Sequence, residues 1–210
     1  MKPLLLDLFC GGGGAAMGYA KAGFEVVGVD INRQPNYPFS FHQADALEFP
    51  LEGFTAIHAS PPCQAYTRKS ANWGRARTNE IPHPNLLAPT RARLIASGVP
   101  YVIENVPGAP IDAQLMLCGS MFGLKIQKHR LFEGNWSMPL APAVCSHEGL
   151  YNPWQGSGRS AQKLRDAQDI QWLPISGGAS RKAGYTGDLF NAIPPAYTEF
   201  IGRALMGALA

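Results

Sequence analysis

The sequence predicts a doubly wound α/β fold, a mostly parallel sheet with crossover helices. Three observations carry this reading. Short apolar runs alternate with helical stretches through the first half of the chain. Four consecutive glycines join the first apolar run to the first helix, and a second β-branched run ends in the carboxylate of Asp30. At 210 residues the chain fits one domain with room for a small appendage.

Taken in order, Leu4–Phe9 reads as a strand and Ala15–Ala22 as a helix stopped by Gly23. Glu25–Asp30, Ala56–Ser60 and Tyr101–Asn105 read as further strands. Asn85–Ser97 reads as a helix closed by Gly98, with Pro89 shortening its start. The alternation fades after about Leu117. Phe132–Gly158 is rich in Pro, Gly and Trp and reads as irregular; Ser160–Trp172 is a candidate helix, and Ser176–Gly187 is loop-like. Pro194–Leu209 predicts a closing helix, with Ala196, Phe200, Ile201 and Leu205 at helical spacing. The expected division is a core at 1–114, a small irregular subdomain at 115–185, and a segment at 186–210 returning to the core.

Composition narrows the class. A hydrophobic fraction of 46% with 16% charged residues can bury a substantial core, which excludes wholesale disorder. No apolar run approaches the roughly 20 residues of a membrane span. Asp7 interrupts the N-terminal apolar stretch, so a secretory leader is not expected and the reading is cytoplasmic. Four scattered cysteines without a CxxC pair predict reduced thiols. A formal charge of +3 is too small to indicate a nucleic-acid partner by itself.

Three segments carry chemistry. Glycines at a strand-to-helix turn let a ligand approach the backbone and the free N–H groups of the helix N-terminus. Asp30, ending the next strand, can accept hydrogen bonds from ribose hydroxyls, so the pair predicts an adenosine-type ligand at the carboxyl edge of the sheet. No GK[ST] follows the glycines, which disfavours an ATPase loop. Asp45 is a candidate for the adenine amino group, and a helix cap otherwise. Next, Ser60-Pro61-Pro62-Cys63-Gln64 follows a strand; the stiff prolines would hold Cys63 at that same edge. Cys63 can act as a nucleophile where exposure and positive charge favour its thiolate. Finally, Glu104 closes the YVIEN strand, where partial desolvation would raise its pKa and suit it to share a proton with a base ring.

The segments LDLFCGGGG, GVDIN, SPPCQ, IENV, KHRLFE and FNAIPPAYTEFIG stand in the order found in DNA cytosine-5 methyltransferases, and the chain resembles the short, phage-type members across residues 4–202. That resemblance implies a Rossmann-like class I S-adenosylmethionine methyltransferase sheet with a reduced target-recognition subdomain. It implies S-adenosyl-L-methionine as cofactor, held by Phe9, Gly11, Gly13, Asp30 (ribose), Ile31, Asp45 (adenine), Pro61 and Asn191. It implies that Cys63 attacks C6 of a cytosine flipped from double-stranded DNA, that Glu104 binds N3 and the exocyclic amine, and that Arg130 steadies the carbonyl. A restriction or phage partner is implied by the resemblance alone.

Downstream of Cys63, basic and aromatic residues interleave. Gln64, Arg68, Lys69, Trp73, Arg75 and Arg77 are candidates to neutralise phosphates or fill the hole of a flipped base, and Lys128 is a further candidate nucleic-acid contact. Departures from the family pattern are Lys128-His129-Arg130, with one of two usual arginines, and Phe190 where a small residue is usual. The stretch from Phe132 to Arg165 is also short for target recognition, which predicts relaxed specificity or reliance on a partner. Cys118, Cys145 and His147 offer three zinc ligands without an evident fourth, so no metal is expected. Gln127, His129, Trp136, Trp154 and Trp172 are read as packing residues, with DNA contact as the alternative. The same chemistry on tRNA and a catalytically silent binding protein are the rival readings.

Overall fold

A computed structural model describes residues 1–63, 66, 85–152, 160–175 and 189–209. Seven strands form one sheet: β1 Leu4–Leu8, β2 Glu25–Asp30, β3 Ser40–Gln43, β4 Ala56–Ala59, β5 Tyr101–Asn105, β6 Leu115–Leu117 and β7 Arg130–Gly134. Their order is β3-β2-β1-β4-β5-β7-β6. The first five run parallel, whereas β7 lies antiparallel to both β5 and β6. The chain winds outward from β1 in one direction through β2 and β3, then in the other through β4 and β5. The crevice where the winding reverses, at the carboxyl ends of β1 and β4, is where such sheets take ligands.

Four helices complete the described fold: α1 Gly14–Ala22, α2 Leu87–Ser97, α3 Ala161–Gln168 and α4 Pro195–Ala208. Every residue of β4 and β5 is buried, as expected for strands covered on both faces. On one face Tyr19, Phe24 and Phe132 pack with Tyr197, Ile201 and Leu205 of α4. On the other, Leu6, Leu8, Ile57 and Ile103 pack with Leu87 and Leu94 of α2. A smaller cluster gathers Ile126, Leu164, Ile170, Leu173 and Leu189. Helices α1 and α4 meet closely through Gly18, whose missing side chain leaves room for Thr198 and the Pro195 carbonyl.

Four of the five parallel strands, β1, β2, β4 and β5, match the sequence expectation, whereas the short strands β3, β6 and β7 were not anticipated. β3 has the pattern of a solvent-exposed edge. β6 and β7 come from the stretch expected to open a separate irregular subdomain at 115. Phe132 is fully buried and pairs opposite Glu104, so the sheet extends through what composition alone marked as irregular. Helix α3 is shorter than expected, because Asp169 turns left-handed at φ 57° and ends it, while Ser160 caps its start by accepting from the Lys163 amide at 3.2 Å. Helix α2 starts after Asn85, whose side chain accepts from the Leu87 amide at 3.2 Å. Among the described residues, no helix is long and apolar enough to cross a membrane.

Candidate active site

A cleft of about 290 Å³ opens at the carboxyl edge of the sheet. Its wall comprises Phe9 and Gly11 after β1, Asp30 and Ile31 after β2, Ser60 to Cys63 after β4, Glu104 and Asn105 of β5, Arg130 of β7, and Asn191 ahead of α4. This volume sits near the lower end of small-molecule sites, roughly 300–1,000 Å³.

The turn after β1 is shaped by backbone that side chains resist. Phe9 is left-handed at φ 58°, a conformation that costs a non-glycine residue about 1–2 kcal/mol. Gly11 and Gly13 follow at φ 47° and 82°. A Cβ at Gly13 would strike Tyr37 and Pro38, so this glycine serves the close packing behind the turn and not the cleft wall. Asp30 accepts from the Gly11 amide at 3.1 Å and from the Asn32 amide at 2.9 Å. Its carboxylate is thereby fixed at the cleft, with lone pairs left for hydroxyl donors.

Below the cleft lies a buried polar layer. Asp7 pairs in register with His58 across β1 and β4, and both are fully buried. The Tyr37 hydroxyl donates to Asp7 Oδ2 at 3.4 Å. His58 Nδ1 is 3.1 Å from the Tyr19 hydroxyl and Nε2 is 2.9 Å from Ser60 Oγ. Burial pushes Asp7 up to about 8 and His58 down to about 3, so both are neutral near pH 7. Asp7 belongs to the cleft lining, and its buried Oδ1 makes no hydrogen bond among the described residues.

Cys63 is half-buried and carries a free thiol. Its loop is anchored by Asn105 Nδ2, which donates to the Pro61 carbonyl at 3.0 Å. Burial pushes the Cys63 thiol up, with the positive field of Arg130 pulling the other way. Glu104 Oε1 lies 2.7 Å from Arg130 Nε. The contact is an ion pair by distance but lacks hydrogen-bond alignment, so Oε1 keeps unused acceptor capacity. Burial pushes the Glu104 carboxyl up, against the opposing pull of Arg130 and the Ser60 hydroxyl.

The structure brings most of the expected residues to one place. Phe9, Gly11, Asp30, Ile31, Pro61, Cys63, Glu104, Arg130 and Asn191 all line the cleft. Three expected residues do not line the cleft: Gly13, which packs behind the turn, Asp45 and Lys128. Asp45 is exposed, stands outside the cleft wall, and accepts from the Leu47 amide at 2.8 Å, which is a capping role. Lys128 does not face nucleic acid. It is 1% exposed, and its ammonium donates to Gln168 Oε1 (2.5 Å) and to the Phe190 (2.9 Å) and Ala192 (2.5 Å) carbonyls. Desolvation drives its pKa well below the usual lysine value. Gln64, Arg68, Lys69, Trp73, Arg75, Arg77 and Trp154 lie outside the described residues. Trp136 and Trp172 donate to the Tyr101 and Gly12 carbonyls, as packing residues do. Sequence reasoning missed Asp7, His58 and Ser60, because polar residues inside short apolar strands give no periodic signal.

Neither a protein-family model nor a curated protein sequence matches the chain. Among solved structures it is similar to the Dnmt2 methyltransferase of S. pombe, with a TM-score of 0.65, 12% identity and 99% of each chain covered. It is likewise similar to the methyltransferase EhMeth of Entamoeba histolytica, with a TM-score of 0.63 and 11% identity over 100% of this chain and 99% of that one. A partial match, at TM-score 0.47 and 21% identity, covers 62% of this chain and 45% of a prophage-encoded E. coli protein described as a DNA modification methyltransferase. The chain thus spans about half the length of that protein, and 52% of a Spodoptera frugiperda DNMT2. At these identities the full-length likenesses are of fold, and that fold is the class I S-adenosylmethionine methyltransferase sheet.

Proposed function

We propose that this chain methylates carbon 5 of cytosine in double-stranded DNA, with Cys63 as covalent nucleophile. One observation carries the reading: a free cysteine, a buried carboxyl and an arginine share a single cleft with a ribose-type acceptor beside a glycine-rich turn.

The donor set fits S-adenosylmethionine. Asp30 presents fixed carboxylate oxygens for ribose hydroxyls, Phe9 and Ile31 offer apolar surface, and Asn191 reaches the cleft from the α4 side. When bound, that cofactor supplies an electrophilic methyl group. The protein's own residues then do the rest. Cys63 gives up its proton to solvent and forms a bond from sulfur to C6 of the ring, while Glu104, whose affinity for a proton burial raises, shares a proton with N3. Electron density moves from the C5–C6 double bond toward C5, the atom that receives the methyl. Transfer of the C5 proton to solvent lets its electron pair re-form that double bond, the sulfur leaves C6 as thiolate, and N3 returns its proton to Glu104. Arg130 offsets the desolvation of Cys63 and holds Glu104 in place. A ring inside a duplex cannot meet both partners, so the reading requires base extrusion. The short stretch between Phe132 and Arg165 supports short or relaxed sequence specificity.

The test uses tritiated S-adenosylmethionine with duplex DNA or tRNA, for the wild type and Cys63→Ala. Label in DNA that vanishes in the variant supports the proposal, as does a denaturation-resistant adduct with 5-fluorocytosine DNA, where fluorine cannot leave C5 as a proton. Label confined to RNA moves the substrate to RNA; no label in either sinks the reading.

A further inference from the structure

Away from the cleft, four side chains from three parts of the chain converge. Cys118 follows β6, His129 immediately precedes β7, and Cys145 and His147 sit on the loop after β7. Their ligand atoms all lie within 4.8 Å of one another. We propose that Cys118, His129, Cys145 and His147 form a tetrahedral structural zinc site that clips this loop to the ends of β6 and β7.

The distances are those a metal would need. Cys118 Sγ is 3.6 Å from His147 Nε2, and Cys145 Sγ is 3.6 Å from His129 Nε2. Zinc bonds of about 2.3 Å to sulfur and 2.0–2.1 Å to nitrogen, at tetrahedral angles, place those atoms about 3.6 Å apart. The two imidazoles stand edge to face, with centroids 4.9 Å apart and planes at 73°, so their Nε2 atoms approach a common centre instead of stacking. Two thiolates and two neutral imidazoles select zinc over magnesium or calcium. With all four positions filled by protein, none is open for a substrate, and the ion's role is structural.

The loop shows why a clip is required. Between β7 and the Tyr151 bridge no helix or strand forms, and Leu140 and Val144 are 90% and 94% exposed. Past Trp136 and Met138, which pack against the core, apolar burial adds little to hold the segment, whereas ligation couples metal-binding energy directly to its order. His129 adjoins Arg130, so the clip also fixes the start of the strand that delivers Arg130 to the cleft. Gln127 extends the arrangement, its side-chain amide lying 3.4 Å from His147 Nδ1. Ligation through Nε2 leaves the proton on Nδ1, so Gln127 would turn its amide oxygen to that proton and orient the ring, with Asn152, whose Nδ2 otherwise donates to that oxygen at 3.0 Å, turning its own amide in step.

The decisive measurement is metal content of the purified full-length protein by mass spectrometry, for the wild type and Cys145→Ser/His147→Ala. The wild type should carry about one zinc per chain, and the double variant a small fraction of that. Cobalt in the chelator-stripped wild type should give tetrahedral bands with thiolate charge transfer. Gln127→Ala should weaken zinc binding by about 10–100-fold while keeping one site. Should the variant fail to fold, the wild type still decides: a zinc chelator should lower its unfolding midpoint, and zinc, not magnesium, should restore it. Zinc equal in both proteins, an octahedral cobalt spectrum, a Cys118–Cys145 disulfide in fresh protein, or a midpoint indifferent to chelation each overturns the proposal.

Discussion

Arg130 Nε lies 2.7 Å from Glu104 Oε1, and both side chains are less than one-tenth exposed. Two charges this deeply buried depend on each other, since removing one leaves the other without compensation. Arg130→Ala should therefore destabilise the fold by about 3–5 kcal/mol, and adding Glu104→Gln should recover more than half of that loss. Urea midpoints of the three variants measure it. A loss within about 0.5 kcal/mol for Arg130→Ala would mean that solvent already screens the pair.

The same pair predicts a separation of stability from turnover. Glu104→Gln keeps the shape of the carboxyl but removes the group whose proton affinity burial raises. Methyl transfer should fall by about 10²–10⁴-fold, the usual worth of a positioned acid, while cofactor affinity stays near that of the wild type. Isothermal titration beside a turnover assay checks both halves. Equal losses of binding and rate would assign Glu104 to the cofactor and not to the base.

Asp7 makes stability depend on pH in a window that can be named. Its carboxyl titrates near 8 in the fold against 3.8 unfolded, so over that interval the folded state holds a proton that the unfolded state has lost, and stability declines as pH rises. His58 acts oppositely: near 3 folded against 6.5 unfolded, it makes stability rise with pH up to 6.5. The two cancel between about pH 4 and 6.5, so from there to about 8 the Asp7 contribution is one that His58 no longer offsets. The groups facing Asp7 include the Tyr37 hydroxyl, the Ala16 amide, the carboxylates of Asp30 and Glu104, the Cys10 thiol, the Tyr19 hydroxyl, and neutral His58 beside it in register. Relative to Asp7→Asn, the wild type should lose about 2 kcal/mol between pH 6.5 and 8. Matching slopes in both proteins would show that another group sets the profile.

Lys128 separates a phosphate contact from a packing one. With its three ammonium protons donated to Gln168, Phe190 and Ala192, it ties β7 to α3 and to the segment ahead of α4. Lys128→Ala should cost about 3 kcal/mol or more, because buried acceptors lose a charged donor. In the folded fraction, the salt dependence of DNA binding should keep its slope, whereas losing a phosphate-bound lysine lowers that slope by about one. A reduced slope would return Lys128 to the nucleic-acid surface.

Much of this was legible in the chain before any coordinates. The strand–GGGG–helix turn, Asp30 and Cys63 announce themselves because glycine and proline patterns act locally. β6 and β7 were not legible, because strands of three and five residues among prolines and tryptophans show no period. Lys128 reads as a surface charge since nothing local reveals that Gln168 and two carbonyls, 40 or more residues away, receive its protons. His129 was passed over as fourth partner of Cys118, Cys145 and His147 for the same reason: the sheet, not the spacing, makes them neighbours.

Two glycines in helices make the last prediction, with opposite signs. At Gly18 of α1, a Cβ would collide with Thr198 Oγ1, the Pro195 carbonyl and the Glu199 amide of α4, two of them backbone groups that cannot swing aside. Thr198 is already committed, its hydroxyl donating to the Ala15 carbonyl at 2.8 Å. The helix-propensity gain of about 1 kcal/mol from alanine is then outweighed, because the helices must separate, and overpacking of this kind costs about 1–3 kcal/mol or more. Separation would also shift Asn191 and Ile193, which reach the cleft just ahead of α4. Gly207, in the last turn of α4, has no atom within 4 Å of its would-be Cβ. Gly207→Ala should stabilise by about 0.5 kcal/mol, and Gly18→Ala should destabilise by about 2 kcal/mol with weaker cofactor binding. Urea unfolding and cofactor titration of the two variants decide the matter; a stabilised Gly18→Ala would mean that α1 and α4 do not pack this closely in solution.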